Sequence, residues 1–194
     1  MEVYRYRKEM NDEVKRLKSQ GRAVGLVPTM GALHRGHLEL VDCSLKANDY
    51  TVVSIFVNPT QFDRQEDLGN YPRMLEEDIS TLGKMGVQAV FAPETREMYP
   101  EPDNRQFDFG GLDKVMEGRY RKGHFNGVAQ IVSKLFMTIE PDRAYFGRKD
   151  FQQLVIIKKL VKQLSLSVEI VGCPIVREKD GLALSSRNLR LTSE

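Results

Sequence analysis

The run Thr51-Val52-Val53-Ser54-Ile55-Phe56-Val57 has no polar face. A strand with one side in water alternates apolar and polar residues, so a run without alternation must be covered on both sides. That condition is met by a parallel sheet sandwiched between helices. Similar short apolar runs recur at Ala23–Val27, Gln88–Ala92, Arg143–Phe146 and Ser167–Gly172. Between them lie longer segments with helical spacing, Glu9–Ser19, His37–Ala47, Arg73–Met85, Val128–Thr138 and Phe151–Leu164. Strand and helix therefore alternate along the chain. The expected fold is α/β, a Rossmann-like doubly wound parallel sheet with helices on both faces.

Length and composition narrow the class. The 194 residues suffice for one core, and 41% hydrophobic with 29% charged residues is ordinary globular composition. A net charge of +2 gives no reason to expect a nucleic-acid partner. Cys43 and Cys173 both sit among apolar neighbours and read as reduced thiols of a cytoplasmic protein. The start Met1-Glu2-Val3-Tyr4-Arg5 lacks the apolar stretch of a signal peptide, and no run approaches the ~20 residues of a membrane span, so no membrane partner is expected.

In doubly wound folds ligands bind beyond the carboxyl ends of the strands. Four segments follow predicted strands directly: Pro28-Thr29, Asn58-Pro59, Pro93 and Gly147-Arg148. The first opens Pro28-Thr29-Met30-Gly31-Ala32-Leu33-His34-Arg35-Gly36-His37, which leads from strand into helix. Its glycines allow close backbone approach, and the free N–H groups of a first helical turn favour an anion. Two imidazoles three residues apart add donors for a nucleotide phosphate. An isolated H-x-x-H pair is more often a solvated or core pair; here the glycines and the strand-to-helix setting favour the phosphate.

Asn58-Pro59-Thr60-Gln61-Phe62 places two amides at a strand end, suited to hydroxyls and a carboxylate, although an Asn-Pro turn explains the same residues. Gly147-Arg148-Lys149-Asp150-Phe151-Gln152-Gln153 mixes cations, an acid and amides at another strand end, the bland alternative being a charged helix start. Lys149 suits phosphate, Asp150 ribose hydroxyls and Gln153 a second substrate. Asp180-Gly181 predicts a turn before Ser185-Ser186-Arg187, which can clamp phosphates or simply cap a helix. The basic stretch Arg119–Gly127 is either a cover for anionic ligands or a solvated loop. Leu75-Glu76-Glu77-Asp78 reads first as dipole compensation, with Asp78 the candidate carboxylate for Mg²⁺. The Pro-rich piece 99–103 reads as a solvated loop.

Taken in order, Pro28–His37, Val57–Phe62, Phe146–Gln153 and Asp180–Asn188 resemble the pantothenate synthetase family, whose His-x-Gly-His element is shared with the wider nucleotidyltransferase superfamily. The match runs collinearly over nearly the whole chain. The resemblance implies ATP-dependent condensation of (R)-pantoate with β-alanine through a pantoyl-adenylate, releasing AMP and pyrophosphate. It implies that Pro28, Thr29, Met30, Gly31, His34, Gly36 and His37 contact ATP, with His37 the chief catalytic residue and His34 and Lys149 beside it. Gly147, Lys149, Asp150, Val176, Leu184, Ser185, Ser186 and Arg187 complete the ATP site, and Asn58, Gln61 and Gln153 hold pantoate, Gln61 also lying near β-alanine. Mg²⁺ accompanies ATP, and the family's dimer implies a homodimer. Family members continue into a smaller C-terminal domain, so residues 1–176 are expected to form the nucleotide and pantoate domain and 177–194 the start of a cover. Two other readings compete: a nucleotidyltransferase acting on a phosphorylated acceptor, and a non-catalytic nucleotide-binding module.

Overall fold

The computed structural model describes residues 1–186 and 188. In chain order the elements are β1 (Glu2–Tyr4), α1 (Arg7–Ser19), β2 (Val24–Thr29), α2 (Arg35–Ala47), β3 (Tyr50–Ile55), α3 (Gln65–Gly69), α4 (Leu75–Lys84), β4 (Ala89–Phe91), α5 (Thr95–Met98), α6 (Met116–Tyr120), α7 (His124–Ile139), β5 (Arg143–Gly147), α8 (Phe151–Gln163) and β6 (Glu169–Cys173). Short 3₁₀ turns occupy Pro59–Gln61, Leu112–Lys114 and Arg148–Asp150.

The six strands form one sheet in the order β1-β4-β3-β2-β5-β6, every pair parallel. The pleat sends neighbouring side chains to opposite faces, and each face has its own core. Leu26, Val52, Phe91, Ala144 and Phe146 point to the side covered by α1, α7 and α8, where Met10, Leu17, Phe125, Leu135 and Ile156 complete the packing. Their neighbours Val27, Val53, Val90 and Tyr145 point to the side covered by α2 and α4, against Leu40, Val41 and Leu82. Both faces of β3 are buried along its full length, as its unbroken apolar run requires. The expected doubly wound sheet is the one observed.

The chain winds outward from β2 in both directions, through β3 to one side and later through β5 to the other. The loops leaving β2 and β5 therefore diverge and leave a crevice at their carboxyl ends.

Strand β1 and the short helices α3, α5 and α6 escape the sequence reading. β1 is only three residues long and partly exposed, too short for its period to register, yet it pairs with β4 from Glu2 to Tyr4. The Pro-rich piece is exposed at Pro100, Glu101 and Pro102, as expected, but is anchored at its end: the Asp103 carboxylate is only 5% exposed and pairs with Arg105 at 2.6 Å and Lys134 at 3.2 Å. Arg105 holds the Asp103 carboxyl well below the usual carboxylate range, against the raising effect of burial.

Helix α7 begins at His124, four residues before its expected start, because its first turn packs directly on the Pro59–Gln61 turn. A Cβ placed on Gly127 would lie 2.2 Å from the Thr60 carbonyl oxygen. Backbone cannot yield as a side chain tip can. Gly127→Ala is therefore expected to cost about 1–3 kcal/mol through overpacking, read as a lower urea midpoint with unchanged slope; an unshifted midpoint would show that α7 has room to move away.

Candidate active site

A cavity of about 230 Å³ opens at the carboxyl edge of the sheet. Its walls come from the ends of β2, β3, β5 and β6 and from α2, α7 and the start of α8. Of the residues singled out from sequence, it is lined by Pro28, Thr29, Met30, His34, Gly36, His37, Asn58, Gln61, Gly147, Lys149, Asp150, Gln153, Val176, Leu184, Ser185 and Ser186. Gly31 and Asp78 do not line it, and Arg187 lies outside the described residues.

The turn from β2 to α2 is held from two sides, β3 and α4. Thr29 Oγ1 donates to the Ser54 carbonyl of β3 at 2.8 Å and accepts from Gly31 N–H at 3.2 Å. Gly31 and Ala32 both take left-handed backbone, with φ of 83° and 50°. Glycine does so freely; for an alanine the conformation costs roughly 1–2 kcal/mol. The Asp78 carboxylate, buried at 4% exposure on α4, accepts from Ala32 N–H at 2.9 Å and Leu33 N–H at 2.8 Å. Burial raises its pKa, opposed by those two backbone hydrogen bonds. The Mg²⁺ role suggested for Asp78 by the sequence does not fit this geometry, because the carboxylate sits beneath the turn with both oxygens committed to backbone.

Beyond the turn, His34 occupies the N-cap of α2 and His37 the third helical position. Imidazole takes the part usually played by a serine and a glutamate in a capping box. His34 Nδ1 accepts from Gly36 N–H at 3.1 Å, and His37 Nδ1 accepts from His34 N–H at 3.4 Å. The two rings stack with centroids 4.0 Å apart. A Cβ on Gly36 would stand 2.9 Å from the His34 ring, so a side chain here would displace that ring from its capping position.

Those hydrogen bonds set the tautomer. An acceptor Nδ1 leaves the proton of a neutral imidazole on Nε2, so each ring keeps one N–H donor beyond those backbone bonds. Neutrality follows from the surroundings. Burial, then His34, then Lys149 push the His37 pKa down to about 3. The His34 pKa is also lowered, by burial and by Lys149. Lys149 Nζ lies 3.0 Å from Asp150, with about a third of its side chain exposed. Two neutral donors, a helix N-terminus and one cation thus share one wall.

The opposite wall carries a closed amide network. Asn58 Nδ2 donates to Gln61 Oε1 and to the Gly127 carbonyl, both at 3.1 Å, while Asn58 Oδ1 accepts from Tyr99 Oη at 2.8 Å and Thr60 Oγ1 at 3.1 Å. All four positions of the amide are used, and Asn58 is 1% exposed. The geometry therefore makes Asn58 the group that orients Gln61, in place of the direct pantoate contact expected from sequence. Among the described residues Gln61 Nε2 finds the Met30 sulfur, at 3.1 Å, a weak acceptor.

The sequence reading gave no role to Phe62, Tyr71, Tyr145 or Ile175 of the lining, aromatic and aliphatic residues of the kinds that fill any core. The basic stretch does reach the cavity, through Arg121 and His124. His124 Nδ1 lies 2.7 Å from the Gln61 carbonyl and its Nε2 lies 3.1 Å from Arg121, which pairs with Glu117 at 2.5 Å. Beyond β6 the predicted Asp-Gly turn closes a hairpin, with Asp180 accepting from Leu182 N–H and Leu184 N–H donating to the Val176 carbonyl.

Comparison with known proteins bears on this constellation. A family model described as pantoate-beta-alanine ligase matches residues 2–194. The pantothenate synthetase of Bacteroides fragilis is 60% identical over the whole chain, which spans 69% of its length, and that of Phocaeicola vulgatus is 62% identical over 187 residues, 96% of the chain and 66% of its own length. Among solved structures, the Thermus thermophilus pantothenate synthetase superposes with a TM-score of 0.93 at 47% identity, covering all of the chain and 68% of its own. A pantoate-beta-alanine ligase from Francisella tularensis, complexed with beta-gamma ATP and beta-alanine, superposes at 0.95 with 40% identity, covering all of the chain and 74% of its own. Fold, motif order and relatives agree: the chain belongs to the pantoate-beta-alanine ligase family.

Proposed function

We propose that this chain carries the site of ATP-dependent pantoate–β-alanine ligation, the neutral Nε2–H donors of His34 and His37 being the observation that carries the reading. The pantoate carboxylate oxygen attacks the α-phosphorus of ATP, the bond to the β-phosphoryl oxygen breaks, and pyrophosphate leaves with the electron pair. The amine of β-alanine then attacks the acyl carbon of pantoyl-adenylate, forming the amide and releasing AMP and the amine's proton. No protein nucleophile is required. Catalysis consists of holding two anions together and neutralising the phosphoryl charge.

Neutral imidazoles suit this task. Each donates one hydrogen bond from a fixed direction, and negative charge arriving at the phosphates strengthens it. His37 is the chief catalytic residue, His34 assists, and Lys149 supplies a mobile positive charge. Pro28, Thr29, Met30, Gly36, Gly147, Asp150, Val176, Leu184, Ser185 and Ser186 surround the nucleotide. Gln61, oriented by Asn58, and Gln153 take the polar groups of pantoate. A phosphorylated acceptor would meet amides on this wall, with the nearby Arg121 already paired with Glu117. Mg²⁺ comes as the counter-ion of ATP, held mainly through phosphate oxygens and water; among the described residues no group of three His, Cys, Asp or Glu forms a metal cage.

We place the reaction in the cytoplasm, supported by the two free thiols Cys43 and Cys173. Among the described residues no helix is long and apolar enough to cross a membrane. We also propose a homodimer, supported by the exposed apolar side chains Val115, Met116 and Tyr120 on and beside α6. Light scattering at ~100 µM is expected to give twice the chain mass, since specific interfaces hold at such concentrations; a monomer mass would exclude the dimer.

Mass spectrometry of the chain mixed with ATP, Mg²⁺ and pantoate is expected to reveal pantoyl-adenylate. In the same assay His37→Ala should lower its rate of formation by ~10²- to 10³-fold while ATP affinity changes far less, as for loss of one donor to developing charge. Equal rates at saturating substrates would remove His37 from the mechanism.

The His37 pKa carries a sign opposite to the usual histidine case. The folded chain declines a proton on this imidazole down to about pH 3, whereas the unfolded chain takes one up near 6.5. The unfolded state therefore binds more protons across that window, and stability rises with pH through it. Acidification from pH 7 to 4 should erode the unfolding free energy, and His37→Gln should flatten that slope. An unchanged slope would show that His37 titrates normally.

A further inference from the structure

Among the described residues the Asp78 carboxylate is the one buried acid touching the nucleotide turn, and the reaction as derived gives it no part. Its position is specific. It accepts the N–H groups of two successive residues, Ala32, the second left-handed residue of the turn, and Leu33, which follows it. It also presses against Gly31 so closely that a Cβ there would lie 3.0 Å from its oxygen. Left-handed alanine persists only where the surroundings hold it. The next residue but one is His34, whose N-cap geometry fixes both imidazoles.

We infer that Asp78 is a positioning residue for the nucleotide: by bridging Ala32 and Leu33 it locks the Gly31–Ala32 turn and thereby aims the His34 and His37 donors. The inference rests on the reading of those histidines as phosphate donors. Thr29 fixes the entry to the turn from β3, and Asp78 fixes its exit from α4. An asparagine at 78 would keep one acceptor and turn an NH₂ group toward a backbone N–H.

Pyrophosphate release dependent on pantoate, measured for Asp78→Asn, Ala32→Gly and the double variant, tests the inference. Asp78→Asn is expected to lower kcat by roughly 10²-fold, as for reacting groups displaced by about an ångström, with KM for pantoate and the Mg²⁺ concentration for half-maximal rate unchanged. Glycine adopts the left-handed turn without a brace, so adding Ala32→Gly should restore about tenfold of the loss. Wild-type kcat in Asp78→Asn would overturn the inference. A tenfold higher Mg²⁺ requirement that Ala32→Gly does not relieve would make Asp78 a metal ligand instead. Amide hydrogen exchange in the unsubstituted chain decides the matter even if Asp78→Asn fails to fold: Ala32 and Leu33 N–H should be as protected as those of β2, and rapid exchange at both would refute the brace. Absence of pyrophosphate release by the wild type would instead remove the proposed function and leave the exchange result to judge the turn.

Discussion

The first turn of α2 governs this molecule because it asks one pair of side chains to do two jobs at once. A helix N-terminus must find acceptors for its free N–H groups, and serine or aspartate would supply them. Here the acceptors are the Nδ1 atoms of His34 and His37. Using one ring nitrogen to cap the backbone settles which nitrogen carries the proton, and settles where the ring stands. Capping the helix and aiming the Nε2 donors are then the same geometric fact. Burial and the neighbouring Lys149 keep the rings uncharged, so the site offers directed donors and leaves the positive charge to the flexible lysine.

The acceptor side follows the opposite logic. Asn58, Thr60, Tyr99 and the Gly127 carbonyl satisfy one another, and burial pushes the Tyr99 hydroxyl pKa up to about 12. A saturated buried network is rigid. Its outlet is Gln61, whose amide orientation is dictated by Asn58 and whose NH₂ group, among the described residues, has a methionine sulfur for partner. A glutamine left with so weak a partner is ready to exchange it for a better acceptor.

What could be read from the sequence followed its periodicity. Buried parallel strands are continuous apolar runs, so the sheet and its flanking helices were visible, and the rule that ligands gather at strand ends located the loops. Three-residue β1 offered too little pattern. Residue roles that depend on hydrogen bonds between distant segments were hidden: Asp78 lies 46 residues from Ala32 and Asn58 lies 69 from Gly127. A carboxylate beside other carboxylates reads as a helix-start charge or a metal ligand; only packing shows that its oxygens meet two backbone N–H groups. Likewise Asn58 and Gln61 look equivalent in sequence, and only the network distinguishes the orienting amide from the oriented one.

The cavity is walled by loops leaving β2, β3, β5 and β6, strands whose pairings join segments far apart in the chain. No contiguous stretch contains enough of the wall to hold a nucleotide by itself, so the site comes into being only when the sheet closes. Ligand affinity and conformational stability are for that reason coupled quantities: a nucleotide present at 100 times its dissociation constant adds about 2.7 kcal/mol to the unfolding free energy of the whole sheet. In the cell the supply of substrate would then set how long the chain survives, by deciding how often its edges open to proteases.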